Sequence, residues 1–117
     1  MISSYSFGHL VFKNTSYNKD LIIIKTQKGE KVIPNWWRKE GHYLYIEDLE
    51  EVWKSEVEYL IIGTGAYGVM KIDPKVKDKA KELNIKLEAF KTSDAVARFN
   101  ELYSQNKSVA GAFHLTC

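Results

Sequence analysis

The segment Gly63-Thr64-Gly65-Ala66-Tyr67-Gly68 follows the apolar run Tyr59-Leu60-Ile61-Ile62 and spells Gly-x-Gly-x-x-Gly. After a strand, glycines so spaced let backbone N–H groups close on a pyrophosphate, and an acidic residue about 20 positions on binds the ribose. Glu88 stands 20 residues past Gly68. The helix that should complete the motif does not fit. A dinucleotide loop opens its helix inside the glycine turn, where free N–H groups and the positive helix end meet phosphate. Here residues 66–72 intervene, and Asp73-Pro74 makes a separate helix start with a carboxylate where phosphate would sit. The glycines read as a tight turn with close backbone packing. A small anion remains a possible occupant of Gly63, Thr64 and Gly65.

The other residues with chemical potential are few. Trp36-Trp37-Arg38 and His42 lie in one irregular segment dense in large side chains. Two indoles and an arginine make either an aromatic-walled anion pocket or a protein-binding patch of Trp36, Trp37 and Arg38. The plainer reading buries one Trp and pairs Arg38 with a carboxylate. His114-x-x-Cys117 has the look of a ligand pair, but there is one cysteine, and His9 and His42 are the only other histidines. That set is too small for a closed zinc site without a carboxylate or a second copy, so no metal is expected. A Cys117 nucleophile with His114 as base is also weak, because strand side chains three apart face opposite ways. Arg38, His42, Gly63, Thr64, Gly65 and His114 remain as residues of a strand-end pocket, should the fold bring them together.

The elements that must position these residues follow from pattern. Residues 5–12 carry apolar side chains on both parities, as in a strand covered on both faces over part of its length. Residues 20–26 hold the β-branched run Leu-Ile-Ile-Ile, and Gln27-Lys28-Gly29-Glu30 turns them into Lys31-Val32-Ile33, a hairpin. Residues 47–55 read as a helix with Leu49, Val52 and Trp53 on one face and Asp48 as a cap. Residues 57–62 form a strand. The helix from Asp73-Pro74 to Asn84 buries Val76, Ala80 and Leu83, and its many lysines read as a solvated face. Residues 85–90 form the next strand. Thr92-Ser93-Asp94 opens a third helix with Val96, Phe99, Leu102 and Tyr103 inward, and residues 109–115 close the chain as a strand. An N-terminal β-hairpin region followed by βαβαβ predicts an α/β domain with helices packed on a sheet.

The totals agree. At 117 residues, with 44% hydrophobic and 13% aromatic, residues 1–117 are expected to form a single domain with a real core. Seventeen basic and fifteen acidic residues leave +2, too weak a field to imply nucleic acid or an anionic membrane. No apolar run approaches membrane-spanning length, and the start MISSYSFGHLVFK has no signal-peptide pattern. A sole cysteine leaves no internal disulfide, and the expected location is the cytoplasm.

Four segments together resemble a known family. They are the Tyr-led segment running to Trp37-Arg38 and Gly41-His42; Leu60-Ile61-Ile62-Gly63-Thr64-Gly65 with Met70-x-Ile72; Thr92-x-x-Ala95-Val96 with Phe99-Asn100; and the closing Gly111-Ala112-Phe113-His114-Leu115-Thr116-Cys117. They are similar to the domain-of-unknown-function 498 family of Mth-938-like domains, whose members include an adipogenesis-associated protein and a mitochondrial complex I assembly factor. The resemblance implies a compact three-layer α/β domain around a mixed sheet. It implies no established enzymatic activity, no cofactor and no catalytic residues, and points to action through other proteins. The expectation is a non-enzymatic interaction or assembly module, a monomer or homodimer with an unidentified protein partner. The alternative is a binder of an anion or nucleotide, or an enzyme, at the strand-end pocket near Gly63–Gly65.

Overall fold

The computed structural model describes residues 1–117. The chain opens with three short strands, β1 (Ile2–Ser6), β2 (His9–Phe12) and β3 (Thr15–Tyr17), which pair antiparallel in that order. The stretch read as one strand over residues 5–12 is therefore two. Phe7-Gly8 breaks it, because Gly8 takes φ +74°, a left-handed conformation that ends a strand and turns the chain. Next come β4 (Leu21–Thr26) and β5 (Gly29–Ile33), the expected hairpin, and then β6 (Tyr43–Leu44).

The expected helix over 47–55 divides into a 3-10 turn, Ile46–Leu49, and one short helix, α1 (Glu50–Lys54). Asp48 is not its cap. It lies inside the 3-10 turn, where its carboxylate accepts the Tyr45 amide at 2.8 Å. The rest alternates: β7 (Tyr59–Thr64), β8 (Lys71–Ile72), α2 (Pro74–Glu82), β9 (Lys86–Phe90), α3 (Thr92–Ser104) and β10 (Val109–His114). Asp73 caps α2, accepting from the Lys75 amide at 3.0 Å, with Pro74 at the first helical position. Leu83, assigned to the buried stripe of α2, lies past the last turn and is exposed.

The main sheet has the order β5-β4-β10-β7-β9. β10 is its centre, antiparallel to β4 and parallel to β7, so the sheet is mixed. All six residues of β10 are buried, as expected of a strand covered on both faces. Alternation along the central strands sorts the core into two layers. Ile22, Ile24, Leu60, Ile62, Ala110 and Ala112 face α1 and α2. Ile23, Ile61, Val109 and Phe113 face α3 and the three-stranded sheet, with Phe99 and Leu102 as the main helical contributions. The result is three layers: helices, mixed sheet, and α3 with β1–β3.

Gly111 shows how tightly α3 sits on β10. A Cβ there would fall 2.5 Å from the Phe113 ring and 2.8 Å from the Phe99 ring. Those rings pack edge to face at 5.6 Å and cannot both retreat in a filled core. Gly111→Ala is expected to lower stability by about 1–3 kcal/mol, measured by urea unfolding. An unchanged midpoint would show that the interface is looser than described.

Candidate functional site

Three strands bring their ends together at one edge of the main sheet. β7 and β10 run parallel and finish side by side at Thr64 and His114, and the antiparallel β4 begins beside Phe113 at Leu21. The chain leaves β10 as Leu115-Thr116-Cys117, enters β4 through Asp20, and leaves β7 through the glycine turn. The polar residues of these exits form a cluster.

Asp20 is its hub. Oδ2 lies 2.7 Å from His114 Nδ1 and 2.8 Å from Arg38 Nη1, while Oδ1 accepts the Leu115 amide at 2.8 Å. Burial raises the Asp20 pKa, but hydrogen bonds from His114 and the Leu115 amide, with the charges of His114 and Arg38, outweigh it and leave the carboxyl below its ordinary value. An ionised Asp20 makes Nδ1 the protonated nitrogen of His114, since a lone pair at 2.7 Å would be repelled. Arg38 Nη2 donates to the Gly41 carbonyl at 2.8 Å. Its guanidinium lies 4.6 Å from the Trp36 ring centre, and Trp36 Nε1 donates to the Asp48 carbonyl at 2.9 Å. Arg38 and His114 are both more than nine-tenths buried. Arg38 Nε and His114 Nε2 have no hydrogen-bond partner, and Arg38 Nη1 is held by its ion pair with Asp20.

The glycine turn lies against the chain's own tail. Gly65 has φ +108°, and a Cβ on it would fall 2.5 Å from the Cys117 carbonyl oxygen and 2.8 Å from that of Thr116. The Ala66 amide donates to the Thr116 carbonyl at 2.6 Å, and the Gly68 amide to the Gly65 carbonyl at 3.1 Å. The Gly65 amide donates to Thr92 Oγ1 at 2.9 Å, and that hydroxyl donates to the His114 carbonyl at 2.6 Å. The N–H groups that would cradle a phosphate are engaged within the chain. Glu88, the residue at ribose-binding spacing, is held in a two-pronged ion pair by Arg98 at 2.8 and 3.2 Å. On the other side of the tail, Gly8 and Tyr5 both donate to the Leu115 carbonyl, at 2.9 and 3.0 Å. Burial pushes the Tyr5 phenol up, which keeps it a donor.

Of the residues singled out from sequence, Arg38 and His114 meet directly, at 3.1 Å between Nη2 and Nδ1. His42 joins them, its ring 5.8 Å from that of His114. Gly63 and Gly65 border the same cluster through Thr92, and the Thr64 hydroxyl turns away to donate to the Phe90 carbonyl at 3.0 Å. The patch of Trp36, Trp37 and Arg38 is corrected: Trp36 and Arg38 are inside, and Trp37 alone is outside, 78% exposed. Asp20 was missed. Its signal was a carboxylate placed directly against Leu21-Ile22-Ile23-Ile24, a run buried on both faces. Thr92 opens α3 as expected, with Lys91 as the residue before the first turn, and its hydroxyl serves the sheet.

Asp20 and His114 have the arrangement of the last two members of a nucleophile–histidine–aspartate relay. Nε2 has no hydrogen-bond partner, and the bonds that are made clamp the β10 exit to Asp20 and Arg38. Among all described residues, no three of His, Cys, Asp or Glu are grouped closely enough to hold a metal ion.

A family model described as "Protein of unknown function (DUF498/DUF598)" matches residues 2–114. The chain belongs to the DUF498 family. Solved structures agree over almost the full length. MT938 is 28% identical, with TM-score 0.77, and the match covers 100% of this chain and 98% of that one. The conserved hypothetical protein PH1505 of Pyrococcus horikoshii OT3 is 22% identical, with TM-score 0.81 and coverage of 100% and 99%. A Bartonella henselae protein described as an outer membrane protein is 24% identical, with TM-score 0.79 and coverage of 99% and 94%. The fold of this DUF498 chain is thus the Mth938-like one. None of its helices is long and apolar enough to cross a membrane.

Removing the hub charge of this DUF498 chain strands two buried groups. Asp20→Asn is expected to cost roughly 3–5 kcal/mol, the usual effect of breaking a buried ion pair from one side. The pH sign follows from the lowered Asp20 value. Its contribution is complete above the unfolded value of 3.8 and is lost as pH falls below it through the folded value. Stability of the native chain should therefore fall more steeply below pH 4 than that of Asp20→Asn. Urea titrations across that range check this, and parallel acid limbs would contradict it.

Proposed function

We propose that this DUF498 protein is a non-enzymatic protein-interaction module whose contact face is the ring of loops around the tail of β10. One observation carries the reading. The side chains on these loops divide sharply into a buried polar layer and exposed aromatics. Trp37 is 78% exposed, Tyr67 69% and Phe7 57%. They stand on the segment before Arg38, in the glycine turn, and at the β1–β2 turn, each in contact with His114 or bonded to the residues just after it. Phe7 and Tyr67 touch, with ring centres 6.1 Å apart. Large aromatics at exposed positions on a rigid frame are the usual anchors of protein interfaces. The module works in the cytoplasm, as one copy or a pair, with neither nucleic acid nor membrane as its target. The weak net charge and the sole cysteine support that placement.

A second reading, a small-ligand pocket or an enzyme at the strand ends, draws support from the unpartnered His114 Nε2. It is weakest for nucleotides, because the amides of Gly65, Ala66 and Gly68 are engaged within the chain. A thermal-shift panel of nucleotides, phosphates and carboxylates tests it, and a flat response removes it.

Trp37→Ala is expected to leave stability within about 0.5 kcal/mol, as for other exposed positions. It should weaken the purified partner complex by about 2 kcal/mol, near 30-fold, as for an interface tryptophan. Cross-linking through a photoreactive residue at position 37, then calorimetry with the partner so identified, measures this. Equal affinity of native and Trp37→Ala chains would reject the face.

A further inference from the structure

Cys117 Sγ lies 3.9 Å from His42 Nε2, across 75 positions of sequence. His42 is exposed and Cys117 half-buried, so solvent and small reagents reach the pair. Neither side chain belongs to either core layer. The His42 ring stands edge to face with that of His114. Behind it are the unpartnered Nε2 of the buried His114 and the unpartnered Nε of the buried Arg38. Asp20 is the side-chain carboxylate bonded to this group, and it pairs with the Arg38 guanidinium and the His114 imidazole. A reachable thiol beside an imidazole is where thiolate chemistry is fastest. The base is His42, not the sequence neighbour His114. Only the folded chain brings it near.

The geometry points to Cys117 as a site of reversible thiolation by small-molecule disulfides, with His42 as its base. His42 Nε2 takes the Sγ proton. The thiolate attacks one sulfur of the disulfide, the Cys117–sulfur bond forms as the reagent's S–S bond breaks, and the leaving thiolate takes the proton back from His42. The disulfide is the only co-reactant, and its reduction balances the oxidation of Cys117. The chain has no second cysteine, so the mixed disulfide persists until an outside thiol removes it. The adduct stands on the tail held by Ala66, beside the loop that carries Tyr67.

Oxidised glutathione with the intact chain tests this, with adducts followed by intact mass. At pH 7 the native chain should gain one glutathionyl group about tenfold faster than a short peptide ending in Leu-Thr-Cys, and dithiothreitol should remove it. Cys117→Ser should gain none. His42→Gln should fall to the peptide's rate with its melting temperature unchanged. The advantage over the peptide should shrink toward pH 9, where thiols ionise unaided. A native rate equal to the peptide's, or a His42→Gln rate equal to the native one, overturns the assignment.

Discussion

Asp20 Oδ1 accepts the Leu115 amide, and Oδ2 meets both the His114 imidazole and the Arg38 guanidinium. One carboxylate thereby ties the entry of β4 to the exit of β10 and to the segment after β5. The stakes are high because Arg38 and His114 are almost wholly buried. A buried cation is tolerated only with a partner, and the partner must be held where the cation is. The antiparallel pairing of β4 with β10 does this. Leu21 stands opposite Phe113, so the residue before one and the residue after the other are adjacent. Register in the central sheet sets the electrostatics at its edge.

The same constraint explains the glycine motif. Backbone N–H groups at a turn attract anions, and carbonyl oxygens of the chain compete for them. Here the tail wins, because His114 and Leu115 are already pinned by Asp20 and the next carbonyls arrive at Ala66 without further ordering. Gly65 has no side chain because two carbonyls of the tail stand where a Cβ would be. The letters of a dinucleotide loop serve a strand-end knot. A pyrophosphate would have to displace bonds that the fold itself depends on.

Much of the architecture was legible in the sequence, and the reasons are local. Asp73-Pro74 announces α2 through capping chemistry, and the isoleucine runs announce central strands through composition. The errors have equally physical causes. Gly8 ended a strand that hydrophobicity alone would have continued, and Leu83 fell just past the turn that would have buried it. The site was half legible. Arg38, His42 and His114 stood out by type, but their convergence depends on contacts between residues 76 and 94 positions apart. No local pattern carries that information. The partners of the Asp20 carboxylate were hidden for the same reason: they are named only by the strand order.

The division of this edge into two layers bears on what selection could act upon. The inner layer of Asp20, Arg38, His114 and Thr92 is bound to itself, and a ligand would gain few contacts there without unmaking the clamp. The outer layer is the reverse. Trp37, Tyr67, Phe7, His42 and the Cys117 thiol carry little of the fold, so their identities are free to answer to a partner or a reagent. Arg38 and Trp37 are adjacent in sequence yet belong to opposite layers, one buried and the other exposed. The rigidity of the inner layer lowers the entropic cost of presenting the outer one. A recognition surface built this way needs no cavity, and the chain's polar clamp becomes its scaffold.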